Sequence, residues 1–171
     1  MLPASMSEQT SNPSLQIVPA TPADVATVLS ILEEAVEWLQ MRGVHQWHAG
    51  DFQEARILRA INAGEVYLAK LGGETVGTGT LTWANTMLWA DPGSADAAYL
   101  NRMAVRRKHA GKKLGQQIVQ WAEREAQKRG KTKLRLDCGE QLATYYEKLG
   151  FKQIAHTSVG ERTVVLYEKP L

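Results

Sequence analysis

Apolar residues recur at Val25, Val28, Leu29, Leu32, Val36 and Leu39, the i, i+3, i+4, i+7 spacing that gathers side chains on one face of an α-helix. Start and stop signals frame this stretch. Thr21-Pro22-Ala23-Asp24 offers an N-cap, a proline for the first turn and a carboxylate three residues on, and Gly43 ends the run. Glu33, Glu34 and Gln40 fall on the wet side. Before it, Ser14 to Pro19 carries β-favouring residues and predicts a strand. After it, Phe52, Ile57, Leu58 and Ile61 predict a shorter helix, opened by a capping box of Asp51 and Glu54 and ended by Gly64.

The period then changes. Val66, Leu68 and Lys70 alternate through a strand, Gly72-Gly73 supplies a two-residue turn, and Val76 to Trp83 returns as its hairpin partner. The stretch from Ala84 to Ala97, with its Asn, Pro, Gly, Ser and Asp residues, reads as a loop, and Tyr99 to Val105 as a buried strand. Leu114, Ile118, Val119, Ala122 and Ala126 line a third helix, closed by Arg129-Gly130. A strand Lys133 to Asp137 follows, then a short helix with Leu142, Tyr145, Tyr146 and Leu149 on one face, stopped by Gly150. Two β-rich segments, Phe151 to Val159 and Thr163 to Glu168, complete the chain. The order β, α, α, β, β, β, α, β, α, β, β predicts an α/β protein with a mixed sheet and helices on both faces.

Composition narrows the function. A chain of 171 residues, 44% hydrophobic and 22% charged, suits one globular domain, expected over residues 15–171, with residues 1–14 a disordered Ser- and Pro-containing tail. A net charge of +2 is too small to signal nucleic-acid or membrane binding by bulk electrostatics, and neither partner is expected. Oligomeric state has no sequence marker, and a homodimer is kept open. The single cysteine, Cys138, excludes an internal disulfide. With no signal-peptide pattern at the N-terminus, the expected location is the cytoplasm.

The charge is nevertheless concentrated. Between Asn101 and Gln117 lie Arg102, Arg106, Arg107, Lys108, Lys112 and Lys113, with His109 and no carboxylate. Gly111 and Gly115 stand where a strand hands over to a helix, so unpaired N–H groups and the positive end of the helix dipole should meet these cations. That combination predicts a phosphate site. Neither G-x-G-x-x-G nor G-x-x-x-x-G-K-[ST] occurs, which argues against a dinucleotide or nucleoside-triphosphate site. A solvated basic loop or a nucleic-acid contact remains as an alternative for the run.

The segment Leu100 to Gly115, LNRMAVRRKHAGKKLG, resembles the acetyl-CoA-binding segment of the GNAT superfamily: a hydrophobic strand, a basic loop and [QR]-x-x-G-x-[GA]. Ala110 stands at the Gln/Arg position and Lys113 at the middle glycine, while Gly111, Leu114 and Gly115 fit. Tyr145-Tyr146-Glu147-Lys148-Leu149-Gly150-Phe151 resembles the superfamily's [LF]-Y-E-[KR]-x-G-F run. Where the family often has an asparagine after the fifth strand, Gly139 stands here. The resemblance, over about residues 15 to 168, implies a mostly antiparallel twisted sheet of about seven strands with one splayed parallel pair, the strands at Tyr99 and Lys133. It implies an N-acetyltransferase that moves an acetyl group from acetyl-CoA, as cosubstrate and without metal, to a primary amine on a small molecule or peptide. The implied coenzyme contacts are Met103, Ala104, Val105, Arg106, Ala110, Gly111, Lys112, Lys113, Leu114 and Gly115. Tyr146 takes the implied place of the general acid, and Tyr145 one of packing. A non-catalytic acyl-CoA-binding regulatory module is the alternative.

Other candidates are weaker. Trp38, Gln46 and Trp47 are expected to border an acceptor pocket, the indoles as apolar walls and the amide as a hydrogen-bonding group. Glu33, Glu34, Asp91 and Asp96 are carboxylates in roughly the right region for a general base, though none is singled out. Cys138 reads as a small buried hydrophobe rather than an acyl carrier. His45 and His48 have H-x-x-H spacing but no evident third ligand, so no metal site is assigned.

Overall fold

The computed structural model describes residues 13–44, 46–84, 88–89 and 95–171. The expected tail therefore lies almost wholly outside the described residues. Seven strands, β1 (Leu15–Pro19), β2 (Val66–Leu71), β3 (Glu74–Thr82), β4 (Ala97–Val105), β5 (Lys133–Cys138), β6 (Lys152–Val159) and β7 (Arg162–Pro170), form one sheet in the order β1-β2-β3-β4-β5-β7-β6. Four helices accompany them: α1 (Val25–Met41), α2 (Glu54–Asn62), α3 (Leu114–Lys128) and α4 (Ala143–Lys148). Element order is the one the periodicities predict.

Each face of the sheet is covered because each helix has one apolar stripe. On one face, Val28, Ile31 and Leu32 of α1 and Ile57 and Ile61 of α2 pack with Val66 and Leu68 of β2 and Ala104 of β4. On the other, Val119, Ala122 and Ala126 of α3 meet Ala98, Leu100, Leu134, Leu136 and Cys138, with Tyr146 of α4 against the same cluster. Each large aliphatic side chain so buried stabilises by about 1.5–3 kcal/mol. Local signals also hold. The Thr21 N–H donates to Asp24 Oδ2 at 2.8 Å, completing the N-terminal box before α1. Lys131 N–H bonds back to the Ala126 carbonyl at 3.0 Å around Gly130, which ends α3 in left-handed backbone.

Two boundaries differ from the sequence pattern. Asp51 does not open α2, whose N-cap is Gln53; its carboxylate instead accepts from the His48 N–H at 2.8 Å and from Arg162 at 3.0 Å. A long-range guanidinium outcompetes a local cap. Strand β4 starts at Ala97, two residues before Tyr99, because Ala97 and Ala98 are fully buried beside β5 despite weak β propensity.

The splay is the feature that makes a site. Strands β4 and β5 are parallel and pair at only three positions, Ala97↔Lys133, Ala98↔Leu134 and Tyr99↔Arg135. Beyond that point they part. On its other side, β4 places Arg102 and Met103 opposite Gly79 alone, since Thr78 pairs with Ala104 and Thr80 with Asn101. This bulge puts Arg102 at φ +47°, a left-handed conformation costly for a side-chain-bearing residue. The fork is pinned by Arg135, 1% exposed, whose Nε donates to Glu168 at 2.7 Å and Nη1 to the Tyr99 hydroxyl at 3.2 Å, with its guanidinium 4.3 Å from the Trp89 ring centre.

Candidate active site

Where β4 leaves β5, the backbone edge of Leu100–Val105 has no ladder partner on that side, and a short turn (Arg107–His109) carries the chain to α3. Among the described residues, the N–H groups of Leu114 to Gln116, the first turn of α3, have no backbone acceptor, as expected of a helix start, where the helix dipole is positive. Lys113, at the family's middle-glycine position, adopts φ +57°. The turn keeps its left-handed residue although the residue is lysine. Gly115 lies under Tyr145: a Cβ there would come within 2.5 Å of the Tyr145 hydroxyl, so a larger residue would displace that ring.

Most of the basic run is committed to protein contacts. Arg106 Nη1 donates to Ser30 at 2.9 Å and lies 3.9 Å from Glu34, whose carboxylate also accepts the Arg107 N–H at 3.0 Å. Arg107 stacks 3.8 Å from the Trp38 ring centre. Lys108 pairs with Glu74, and Lys112 Nζ sits 2.9 Å from His109 Nδ1. Arg106, Arg107 and Lys108 thus tie the loop to α1 and β3.

A cavity of about 900 Å³ runs from this loop through the splay to the α1–α2 side of the sheet. Met103, Ala104, Val105, Ala110, Gly111, Lys113, Leu114 and Gly115 line it together with Tyr146, Trp38, Gln46 and Trp47. Of the expected residues, Arg106 and Lys112 do not line it.

Tyr146 is half-buried, its ring 5.0 Å from Tyr145 and 5.9 Å from Phe151, centre to centre. Burial, then the neighbouring Cys138, Tyr145 and Asp137, raises its phenol pKa far above the ordinary value, so it stays protonated at neutral pH. Tyr145 departs from its expected packing role: it is 42% exposed and lines the cavity. Cys138 is fully buried, with its thiol pushed up to about 12 by burial and then by the Asp137 and Glu147 charges, which leaves it inert as a nucleophile.

Pattern reading missed Asp137. It was one more residue of a strand, but the splay opens the cavity beside it, and burial raises its carboxyl pKa against the opposing effect of its own backbone N–H. The carboxylates picked from sequence fare differently. Glu34 is engaged with the basic turn, Glu33 is exposed outside the cavity lining, and Asp96 is exposed at the foot of β4. Asp91 and His45 lie outside the described residues, and no group of three or more His, Cys, Asp or Glu among the described residues could hold a metal.

On the acceptor side, Trp47 meets Phe52 edge-on at 5.1 Å, and the Gln46 side-chain oxygen accepts the Gly139 N–H while its carbonyl accepts from Arg162 at 2.9 Å. Trp38 is less an open wall than expected, since Arg107 and Arg42 both cover it. Arg56, Glu65, Asn101 and Arg102 complete that end of the cavity, and none but Arg102 drew notice in the sequence.

The splayed pair, the open helix start and the tyrosine beside them match what the sequence motifs imply, and residues 32–151 match the model of the Acetyltransferase (GNAT) family. The chain belongs to that family. It is 32% identical over 165 residues to YesJ of Bacillus subtilis (strain 168), described as an uncharacterized N-acetyltransferase, covering 90% of this chain and 88% of that protein. It is also similar to the crystal structure of a GNAT-family acetyltransferase from Listeria monocytogenes 4b F2365, with a TM-score of 0.74 and 26% identity over 92% of this chain and 95% of that one. The PaiA N-acetyltransferase of Thermoplasma acidophilum, solved with coenzyme A, shares the fold at a TM-score of 0.72 and 20% identity, over 92% and 99% of the two chains. The protein is an acetyl-CoA-dependent N-acetyltransferase. Its cavity fits that cosubstrate: unpartnered N–H groups for the pyrophosphate at one end and an unpaired strand edge for the pantetheine amides in the splay. No helix among the described residues is long and apolar enough to cross a membrane.

Proposed function

We propose that this acetyltransferase acts on a primary amine by direct attack within a ternary complex, with Tyr146 as proton donor to the departing sulfur and Asp137 as proton acceptor, through water, for the amine. The observation that carries the reading is that both side chains line one cavity that opens at one end on the α3 N–H groups and at the other on the α1–α2 side. Bound acetyl-CoA supplies an activated thioester. The residues supply the rest.

An alkylamine with a pKa near 10.4 is almost wholly protonated at neutral pH and must lose a proton before it attacks. Asp137, with its pKa raised by burial, is a better base than an ordinary carboxylate and lies at the mouth of the splay. The free edge of β4 around Met103 and Val105 offers N–H groups to the amide arm and the carbonyl. Tyr146 remains protonated across the neutral range, so it can stabilise a sulfur whose conjugate acid has a pKa near 8.5. Proton donation of this kind contributes about 10²–10⁴-fold. Tyr145, with its hydroxyl over Gly115, closes the coenzyme side.

Amine-dependent thiol release from acetyl-CoA, over a panel of amines, tests the reading. Tyr146→Phe is expected to keep coenzyme binding in calorimetry and to lose turnover by about 10²-fold or more. Equal turnover in the Phe variant removes the acid assignment, and thiol release independent of any amine favours a module that only binds acyl-CoA.

A further inference from the structure

The acceptor end of the cavity has an uncompensated positive charge. Asp51 and Arg162 form a pair at 3.0 Å and cancel, while Arg107 keeps its charge over the Trp38 ring. What remains on the α1–α2 side is Arg56 from α2, Arg102 from the bulge of β4, and Glu65 just before β2. Neither Arg56 nor Arg102 makes a hydrogen bond or close ion pair through its guanidinium among the described residues. Among the described residues, these three side chains together carry a net charge of +1.

Arg102 does not belong with the phosphate loop that its sequence position suggests. It stands in the β4 bulge at φ +47° and lines the cavity with Arg56 and Glu65, feeling the charge of both. Loss of water, and then the Arg56 charge, pulls its pKa below the ordinary value, while Glu65 opposes the shift. Arg102, half-buried on strained backbone, faces the like charge of an exposed Arg56, a poor resting arrangement and a good anion site. The adjoining walls, Leu39, Trp47 and Phe52, are apolar.

We infer that the acceptor is an amine bearing a single carboxylate, of the amino-acid type with an uncharged side chain, whose carboxylate is held by Arg56 and Arg102 while its amine faces the splay. This rests on the proposed transfer to a primary amine and names its substrate class. One carboxylate brings the cluster to neutrality, and planar guanidinium groups match it with paired hydrogen bonds. A second carboxylate on the acceptor would find no further counter-charge within this three-residue cluster.

The test uses matched sets: an apolar amino acid, its carboxamide and the corresponding amine without the carboxyl group. Turnover with acetyl-CoA is measured, and so is calorimetric binding of the N-acetylated amino acid and its amide to the protein loaded with coenzyme A. The carboxylate form is expected to exceed the other two by about 10- to 100-fold, the size of a charge-assisted hydrogen bond lost. Arg102→Gln and Arg56→Gln should each reduce that preference by about 10-fold or more while leaving coenzyme A affinity unchanged. Glu65→Gln should increase it several-fold. Carboxylate-selective binding that disappears in the arginine variants upholds the site even where no amine is turned over, in which case the proposed transfer fails and the site stands. Equal binding of acid and amide by the wild-type protein, or a preference that survives both arginine substitutions, overturns it.

Discussion

Replacing Lys113 by glycine separates two contributions that the sequence merges. Lys113 occupies left-handed backbone at φ +57° immediately before α3, which costs a side-chain-bearing residue about 1–2 kcal/mol. Glycine escapes that cost but loses about 0.5–1 kcal/mol more backbone freedom on folding. The net expectation for Lys113→Gly is stabilisation of about 0.5–1 kcal/mol. For a domain of this size, about 1 kcal/mol moves the melting temperature by about 2–4 °C, so calorimetry should show a rise of about 1–4 °C.

The coenzyme side moves the other way. An exposed ion pair contributes about 0.2–1 kcal/mol, so losing the Lys113 ammonium should weaken coenzyme A binding by about 1.4- to 5-fold, less at high salt. Lys113→Ala isolates the charge, because alanine pays the same left-handed cost. It should bind as weakly as the glycine variant yet melt within about 1 °C of wild type. A glycine variant that melts lower would refute the strain argument. Unchanged affinity in both variants would place the ammonium beyond reach of the phosphates.

Asp137 has a raised pKa, so the folded protein holds its proton at pH values where the unfolded chain, with an ordinary value near 3.9, has released it. Stability therefore falls as pH rises through that window; Asp137→Asn should melt higher than wild type at pH 7, match it near pH 3, and lose amine turnover. Cys138, its thiol pushed up to about 12, should resist alkylation in the native protein and react promptly on unfolding, and Cys138→Ala should retain turnover, which an acyl-carrier role forbids. Gln46→Ala should raise the KM for the amine with little change in coenzyme affinity, measured by paired kinetics and calorimetry, because Gln46 ties the α1–α2 segment to Gly139 and Arg162.

Element order and sheet composition were legible because periods of 3.6 and 2 and the turn glycines act locally. Tyr146 and the α3 loop were reached through motif resemblance, and the structure gathers them on one cavity. What could not be read depends on contacts between distant segments. Asp51 looks like a helix cap until Arg162, far along the chain, claims it. The six cations between Asn101 and Gln117 look like one patch, yet Arg102 lines the cavity with Arg56 and Glu65, and the turn sends Arg106 and Arg107 to α1. Asp137 is an unmarked strand residue, and its burial arises only because β4 and β5 part beside it.

The departures from the family pattern follow from which part of the site is built from backbone and which from side chains. At the proposed coenzyme end the binding groups are N–H groups, which lets Ala110 replace a Gln or Arg, and Lys113 a glycine provided it accepts left-handed φ, as it does. Gly139 is a different case, because the family's asparagine contributes a side chain there. A Cβ on Gly139 would lie 3.0 Å from the Gln46 side-chain oxygen, which itself accepts the Gly139 N–H. Gln46 fills the space that residue 139 vacates, bringing an amide from the α1–α2 segment to the end of β5. The substitution couples the acceptor wall to the splay. A residue larger than glycine at 139 would push Gln46 away and loosen that wall, so glycine at 139 and glutamine at 46 are expected to act as a pair, with Gly139→Asn better tolerated in a Gln46→Ala background than alone.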